Sequence, residues 1–108
     1  MTQEAILNQL GYTPNEALGE QLSRIEANTV GYDKIIKHIL DLHEALKTDK
    51  SYVALSNSND YFKIKIDATG EISASDALTK INHFSEKYKV RLQKVDGKPT
   101  YYVVGFAS

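Results

Sequence analysis

Apolar and small residues recur at alternating spacings of four and three through the first half of the chain: Leu18, Leu22, Ile25, Thr29, Tyr32, Ile36, Ile39, His43 and Leu46. That spacing puts them on one line along a helix, and such a line needs a partner surface to bury it. The pattern therefore predicts an assembly: a self-association seam and a homodimer. The row changes character along its length. Around Leu18–Ile25 it is narrow, close to two apolar positions in seven. From Ile35 it widens as Ile35, Leu40 and Leu42 join it, which predicts that residues 35–46 lie against a globular body.

The start of this helical region reads from Thr13-Pro14-Asn15-Glu16. Thr13 suits the N-cap, Pro14 the first helical position and Glu16 the reciprocal capping-box position. A shorter helix over residues 3–10 precedes it, with Gly11 as its stop. Beyond Pro14 two versions are open. One is a single helix of residues 14–47, roughly 50 Å long. The other is two helices broken near residues 28–31. Asn28, Thr29, Val30, Gly31, Tyr32 and Asp33 are poor helix formers and together disfavour continuity by roughly 3–4 kcal/mol. That weighs slightly toward the break. A broken version would be an antiparallel hairpin burying the seam within one chain; a continuous one would favour a dimer.

The second half switches to a strand period. Tyr52 to Leu55 reads as a strand, Ser56 to Asp60 as a polar turn, and Tyr61 to Asp67 alternates apolar and polar residues. Ser73 with Asp76 marks the start of a helix of about residues 74–88, with Ala77, Leu78, Ile81, Phe84 and Tyr88 on its apolar face. Val90 to Val95 and Tyr101 to Phe106 are strands joined at Asp96-Gly97, a pair suited to a type I′ turn. The predicted fold class is α+β: a helical N-terminal half (1–47) followed by a ββαββ antiparallel sheet (51–108) with one helix packed on it, in one domain of residues 1–108.

Alternation also predicts the two faces of the sheet. Phe62, Ile64, Ile66, Val90, Leu92, Tyr102, Val104 and Phe106 are expected to face the 74–88 helix. The other face would carry Tyr61, Lys63, Lys65, Arg91, Gln93, Tyr101 and Val103. Interleaved tyrosines and basic groups suit single-stranded nucleic acid, whose bases stack on rings while its phosphates meet lysines. The simpler expectation is that the wide Ile35–Leu46 stripe covers this face.

Composition narrows the chemistry. The chain has 108 residues, a net charge of −1 and no cysteine, which excludes disulfides, thiolate metal sites and a cysteine nucleophile. Residues 1–50 carry five Lys/Arg against eight Asp/Glu, and residues 51–108 eight against six. Neither half is strongly basic, and only Arg24 and Arg91 supply the guanidinium fork that reads guanine edges. The longest apolar run, Tyr101 to Val104, cannot span a membrane, and the first ten residues lack the basic start and apolar run of a signal peptide. A cytoplasmic protein without membrane partners is expected.

No catalytic motif emerges. His38 and His43 are five residues apart and diverge around a helix; His38/Asp41 and His83/Glu86 offer only two metal ligands each. His43 reads instead as a polar seam residue that fixes register. There is no Gly-x-Ser-x-Gly elbow and no phosphate-binding glycine loop. A helix-turn-helix reading of residues 3–26 fails on charge, because Glu16 and Glu20 would face phosphate beside only one arginine. No cofactor and no metal are expected. The expected function is a non-enzymatic, self-associating protein-interaction or regulatory module. A weak nucleic-acid binder using the Tyr/Lys sheet face, and an enzyme with its site formed between subunits, are the alternatives.

Overall fold

The computed structural model describes residues 2–107; Met1 and Ser108, the outermost residues of the expected domain, lie outside the described residues. Four helices and a four-stranded antiparallel sheet follow one another as α1 (Gln3–Gln9), α2 (Glu16–Asn28), α3 (Tyr32–Leu46), β1 (Tyr52–Leu55), β2 (Phe62–Lys65), α4 (Glu71–Tyr88), β3 (Val90–Lys94) and β4 (Thr100–Phe106). The strand order is β1-β2-β4-β3. The fold class is α+β.

The helix boundaries follow local chemistry. Thr2 caps α1, its hydroxyl accepting from the Ala5 N–H at 3.1 Å, and Gly11 ends the helix in the left-handed region at φ 92°. The cap of α2 is Asn15, whose Oδ1 accepts from the Leu18 N–H at 2.8 Å, not Thr13. Asn is as good a cap as Thr, and placing it after Pro14 leaves the proline in the connecting turn. Helix α4 begins at Glu71 after Gly70, two residues before the expected Ser73 cap.

The long seam is two helices. Thr29 leaves the helical region with an extended backbone, and Gly31 sits in the left-handed region at φ 66° before α3 begins. The break is fixed from outside. Val30 forms a parallel bridge with Gly105 of β4, and its carbonyl accepts from the Phe106 N–H at 2.7 Å. The two helices are not the expected antiparallel hairpin. Helix α2 packs chiefly with α1, whereas α3 lies against α4, β1 and β4. Residues 35–46 do dock on the C-terminal half, as the widened stripe predicts.

One core joins both halves of the chain. Ile6, Leu7, Leu22, Ile25, Ile39 and Leu46 share it with Val53, Phe62, Ile64, Ile81, Phe84 and Val103. Because α3 packs against α4, both helices cover the same face of the sheet. The other face is not covered by the Ile35–Leu46 stripe.

Registry shows which side chains lie on each face. Leu55, Phe62 and Val103 are aligned across β1, β2 and β4, as are Val53, Ile64 and Tyr101. Aligned residues share a face, so Tyr101 and Val103 belong to the core. The expectation for this part of β4 is corrected: Tyr102 and Val104 alternate onto the open face. A register shift between Arg91 and Leu92 then leaves one extra residue in β4, since Leu92 aligns with Val103 and Arg91 with Gly105. This bulge returns Phe106 to the core side, where it packs as expected. The β3–β4 connection also differs. Val95 N–H donates to Thr100 and Lys98 N–H to Val95; Gly97 has positive φ (72°) while Asp96 does not, which is the geometry of a type II turn.

Candidate anion-binding face

Two rows of side chains cross the open face. The first aligns Ala54, Lys63, Tyr102 and Gln93; the second aligns Tyr52, Lys65 and Thr100. Arg91 and Gln93 are exposed on β3, and Lys63, Lys65 and Tyr102 are half-buried. Tyr61 precedes β2 and sets its ring against Tyr102, with centroids 6.3 Å apart and planes tilted by 37°. Of the face residues expected from sequence, Tyr61, Lys63, Lys65, Arg91 and Gln93 fall on this side. Tyr101 does not: it packs on the core.

A concavity of about 510 Å³ lies on this face between the β1–β2 loop and the β3–β4 turn. Lys63, Lys65 and Lys98 contribute three ammonium groups to its lining, and Ser56, Asn57, Ser58, Thr100 and Tyr102 contribute polar groups; among the described residues no carboxylate lines it. The Tyr102 hydroxyl lies 3.1 Å from Ser58 Oγ, which lies 3.3 Å from Ser56 Oγ. The Ser58 hydrogen bond is the largest influence holding the Tyr102 phenol below its ordinary pKa of 10.0, and Lys98 adds to it. The site thus joins positive charge, hydroxyl donors and an aromatic pair. Sequence reasoning placed Tyr102 on the wrong face and did not single out Lys98, Ser56 or Ser58. The tripeptide Lys98-Pro99-Thr100 beside two lysines of a facing strand was the available signal.

The seam residues are spent inside the chain. Leu22, Ile25, Ile39 and Leu46 have no accessible surface, Ile36 and His43 are buried, and Leu18 and Tyr32 pack on the core. The buried Tyr32 hydroxyl has no hydrogen-bond partner among the described residues. That burial, with the Glu26 carboxylate nearby, raises its pKa. Among these side chains only Leu18 and Tyr32 keep an appreciable part of their surface exposed.

His43 has a defined structural task. Its Nδ1 accepts from the Val53 N–H at 3.0 Å, which requires the neutral ring with its proton on Nε2. Burial first, and the Lys47 charge second, lower its pKa from 6.5, against a smaller opposing effect of Glu44. Two residues on, the Leu55 N–H donates to the Tyr12 hydroxyl at 3.1 Å. Both N–H groups point away from β2, so two side chains cap the outer edge of β1. His38 stacks on Tyr88 at 3.7 Å between ring centroids. Among the described residues no three His, Asp or Glu side chains gather as a metal site.

The polar face of α2 is also engaged. Gln21 Nε2 donates to the Ser56 carbonyl at 2.7 Å, and Arg24 pairs with Asp60 at 3.5 Å. The α1–α2 concavity is lined by Glu4, Glu16 and Glu20, charges that disfavour phosphate there. No described helix is long and apolar enough to cross a membrane. No protein-family model matches the chain, and no curated protein or solved structure proves similar to it.

Proposed function

We propose that this chain is a binding module without catalysis of its own, whose open sheet face takes single-stranded nucleic acid. The observation that carries the reading is the concavity of Lys63, Lys65 and Lys98 around Tyr102, which no carboxylate of the described residues lines. Tyr61 and Tyr102 supply π-faces for bases, and lysines on β2 and the β3–β4 turn supply counter-charge for the strand. With two arginines in the chain and one, Arg91, on this face, recognition rests on stacking and charge rather than on base edges.

Fluorescence anisotropy of a labelled oligothymidylate tests this at low and moderate salt. Neutralising one to three phosphates predicts a slope of log affinity against log salt between about −0.7 and −2. The variant Lys63→Gln/Lys65→Gln binds more weakly with a shallower slope. Absence of salt-dependent binding by the parent chain removes the reading.

A protein-interaction role is the second reading, favoured by one apolar groove. Ile66, Leu78, Pro99 and Tyr101 line a depression of about 480 Å³ between α4 and the β3–β4 turn, and Ile72 nearby on α4 is 79% exposed. Because the seam is internal, a homodimer would use a surface such as this one. Sedimentation at micromolar concentration separates a 12.1 kDa monomer from a dimer.

A further inference from the structure

The three ammonium groups of the open face are unevenly placed for a strand that carries one charge per nucleotide. All three line one concavity, at its margin with the β1–β2 loop and the β3–β4 turn. Lys63 and Lys65 are two residues apart on one strand face, about 6.5–7 Å between their Cα atoms, close enough to share one anion. Lys98 joins them from the turn. Thr100 of β4 is aligned with Lys65 and Tyr102 with Lys63, so the hydroxyl chain of Ser56, Ser58 and Tyr102 borders the same space. A phosphodiester brings a single negative charge to such a site, whereas a phosphate monoester brings about −1.5 to −2 at neutral pH.

We propose that this concavity is a seat for a phosphate monoester, held by Lys63, Lys65 and Lys98 with the one free proton of the hydrogen-bonded Ser58–Tyr102 hydroxyl pair as a further donor. The proposal deepens the nucleic-acid reading above: a strand lying on the face would be held by its phosphorylated end, its first bases stacking on Tyr102 and Tyr61. Free phosphate offers the same chemistry, so the test separates the two sources. The anionic ligand and the site are complementary in charge, and no carboxylate of the described residues lines it in opposition.

Nuclear magnetic resonance titration of the labelled protein with inorganic phosphate reports on the seat alone. Shifts are expected at Lys63, Lys65, Lys98 and Tyr102, and are lost in Lys98→Gln; shifts scattered over all surface lysines, or none, overturn the seat. Anisotropy then compares a 5′-phosphorylated oligonucleotide and its 3′-phosphorylated isomer with an unphosphorylated twin at matched salt. At least one phosphorylated end should bind about tenfold tighter, the gain of one further charge-assisted contact. In Lys98→Gln that preference should fall to about equality. If the parent chain binds all three alike, strands bind the face but not the seat, and the proposal falls while the nucleic-acid reading stands. If no oligonucleotide binds while inorganic phosphate still shifts the four residues, the seat stands as a site for small phosphate monoesters, and the nucleic-acid reading falls.

Discussion

The backbone of Val30 lies so close to Gly105 that a Cβ on Gly105 would sit 2.8 Å from both the nitrogen and the oxygen of Val30. Gly105 also has φ 152°. This contact ends α2, starts α3 and directs one half of the apolar row away from the other. Gly105→Ala therefore combines a disfavoured backbone with a clash against main chain, which cannot rotate aside. A loss of about 2–4 kcal/mol is expected, read as a lower urea midpoint at unchanged slope. Gly31→Ala, at φ 66° and 2.6 Å from Phe106 Cβ, should fall in the same range.

His43 makes stability depend on pH. Its folded pKa is lowered from 6.5, so below about that pH the unfolded chain binds a proton that the folded chain refuses. Stability is then full above 6.5, falls as pH drops through 6.5, and continues to fall until the folded pKa is reached. Protonation also removes the Nδ1 acceptor from the Val53 N–H. His43→Asn retains an acceptor near that position and cannot titrate. Urea midpoints between pH 5 and 8 should show a clear dependence in the parent chain and a weaker one in the variant.

Tyr12 caps the other outward N–H of β1. Tyr12→Phe leaves the Leu55 N–H without its partner, at a cost of about 1 kcal/mol. Combined with His43→Leu it bares two adjacent donors on an edge strand, and an unprotected edge pairs with other chains. The double variant should form larger species on concentration, visible by light scattering, while Tyr12→Phe alone stays as the parent does.

A third link holds the layer beneath α4. Lys80 Nζ lies 2.7 Å from Asp49 Oδ2 and also reaches the Ala45 carbonyl at 3.2 Å. The Asp49 side chain is only 8% exposed, so Lys80→Met strands a buried carboxylate. About 1–3 kcal/mol of stability should be lost at neutral pH. Asp49→Asn with Lys80→Met should recover part of it, because no charge is then left buried.

Much of this architecture is legible in the sequence, and the parts that are not have physical reasons. The widening of the apolar row at Ile35 identifies the segment that docks on the sheet. The poor helix formers from Asn28 to Asp33 mark the break, though only the contact with Gly105 fixes it. The identity of the seam's partner was not legible, because four-three spacing states that a stripe is buried and not by what. The sheet faces failed at Tyr101-Tyr102-Val103-Val104. Two identical pairs in succession read equally well in either phase, and a one-residue change of phase exchanges the faces. The bulge beside Arg91 then restores Phe106 to the core, so both ends of β4 cannot follow one alternation. That error hid Tyr102, and with it the concavity where Lys98 meets Lys63 and Lys65.

On the proposed reading, the uncovered sheet face is the working surface of the protein. Mapping of backbone and side-chain resonances during titration with a single-stranded oligonucleotide tests it most directly. Perturbations concentrated at Tyr61, Lys63, Lys65, Lys98 and Tyr102 are predicted, with Leu22, Ile39 and Phe84 unmoved. Perturbations confined to Ile72, Leu78 and the rest of the α4 groove, or no perturbation at millimolar oligonucleotide, would contradict it.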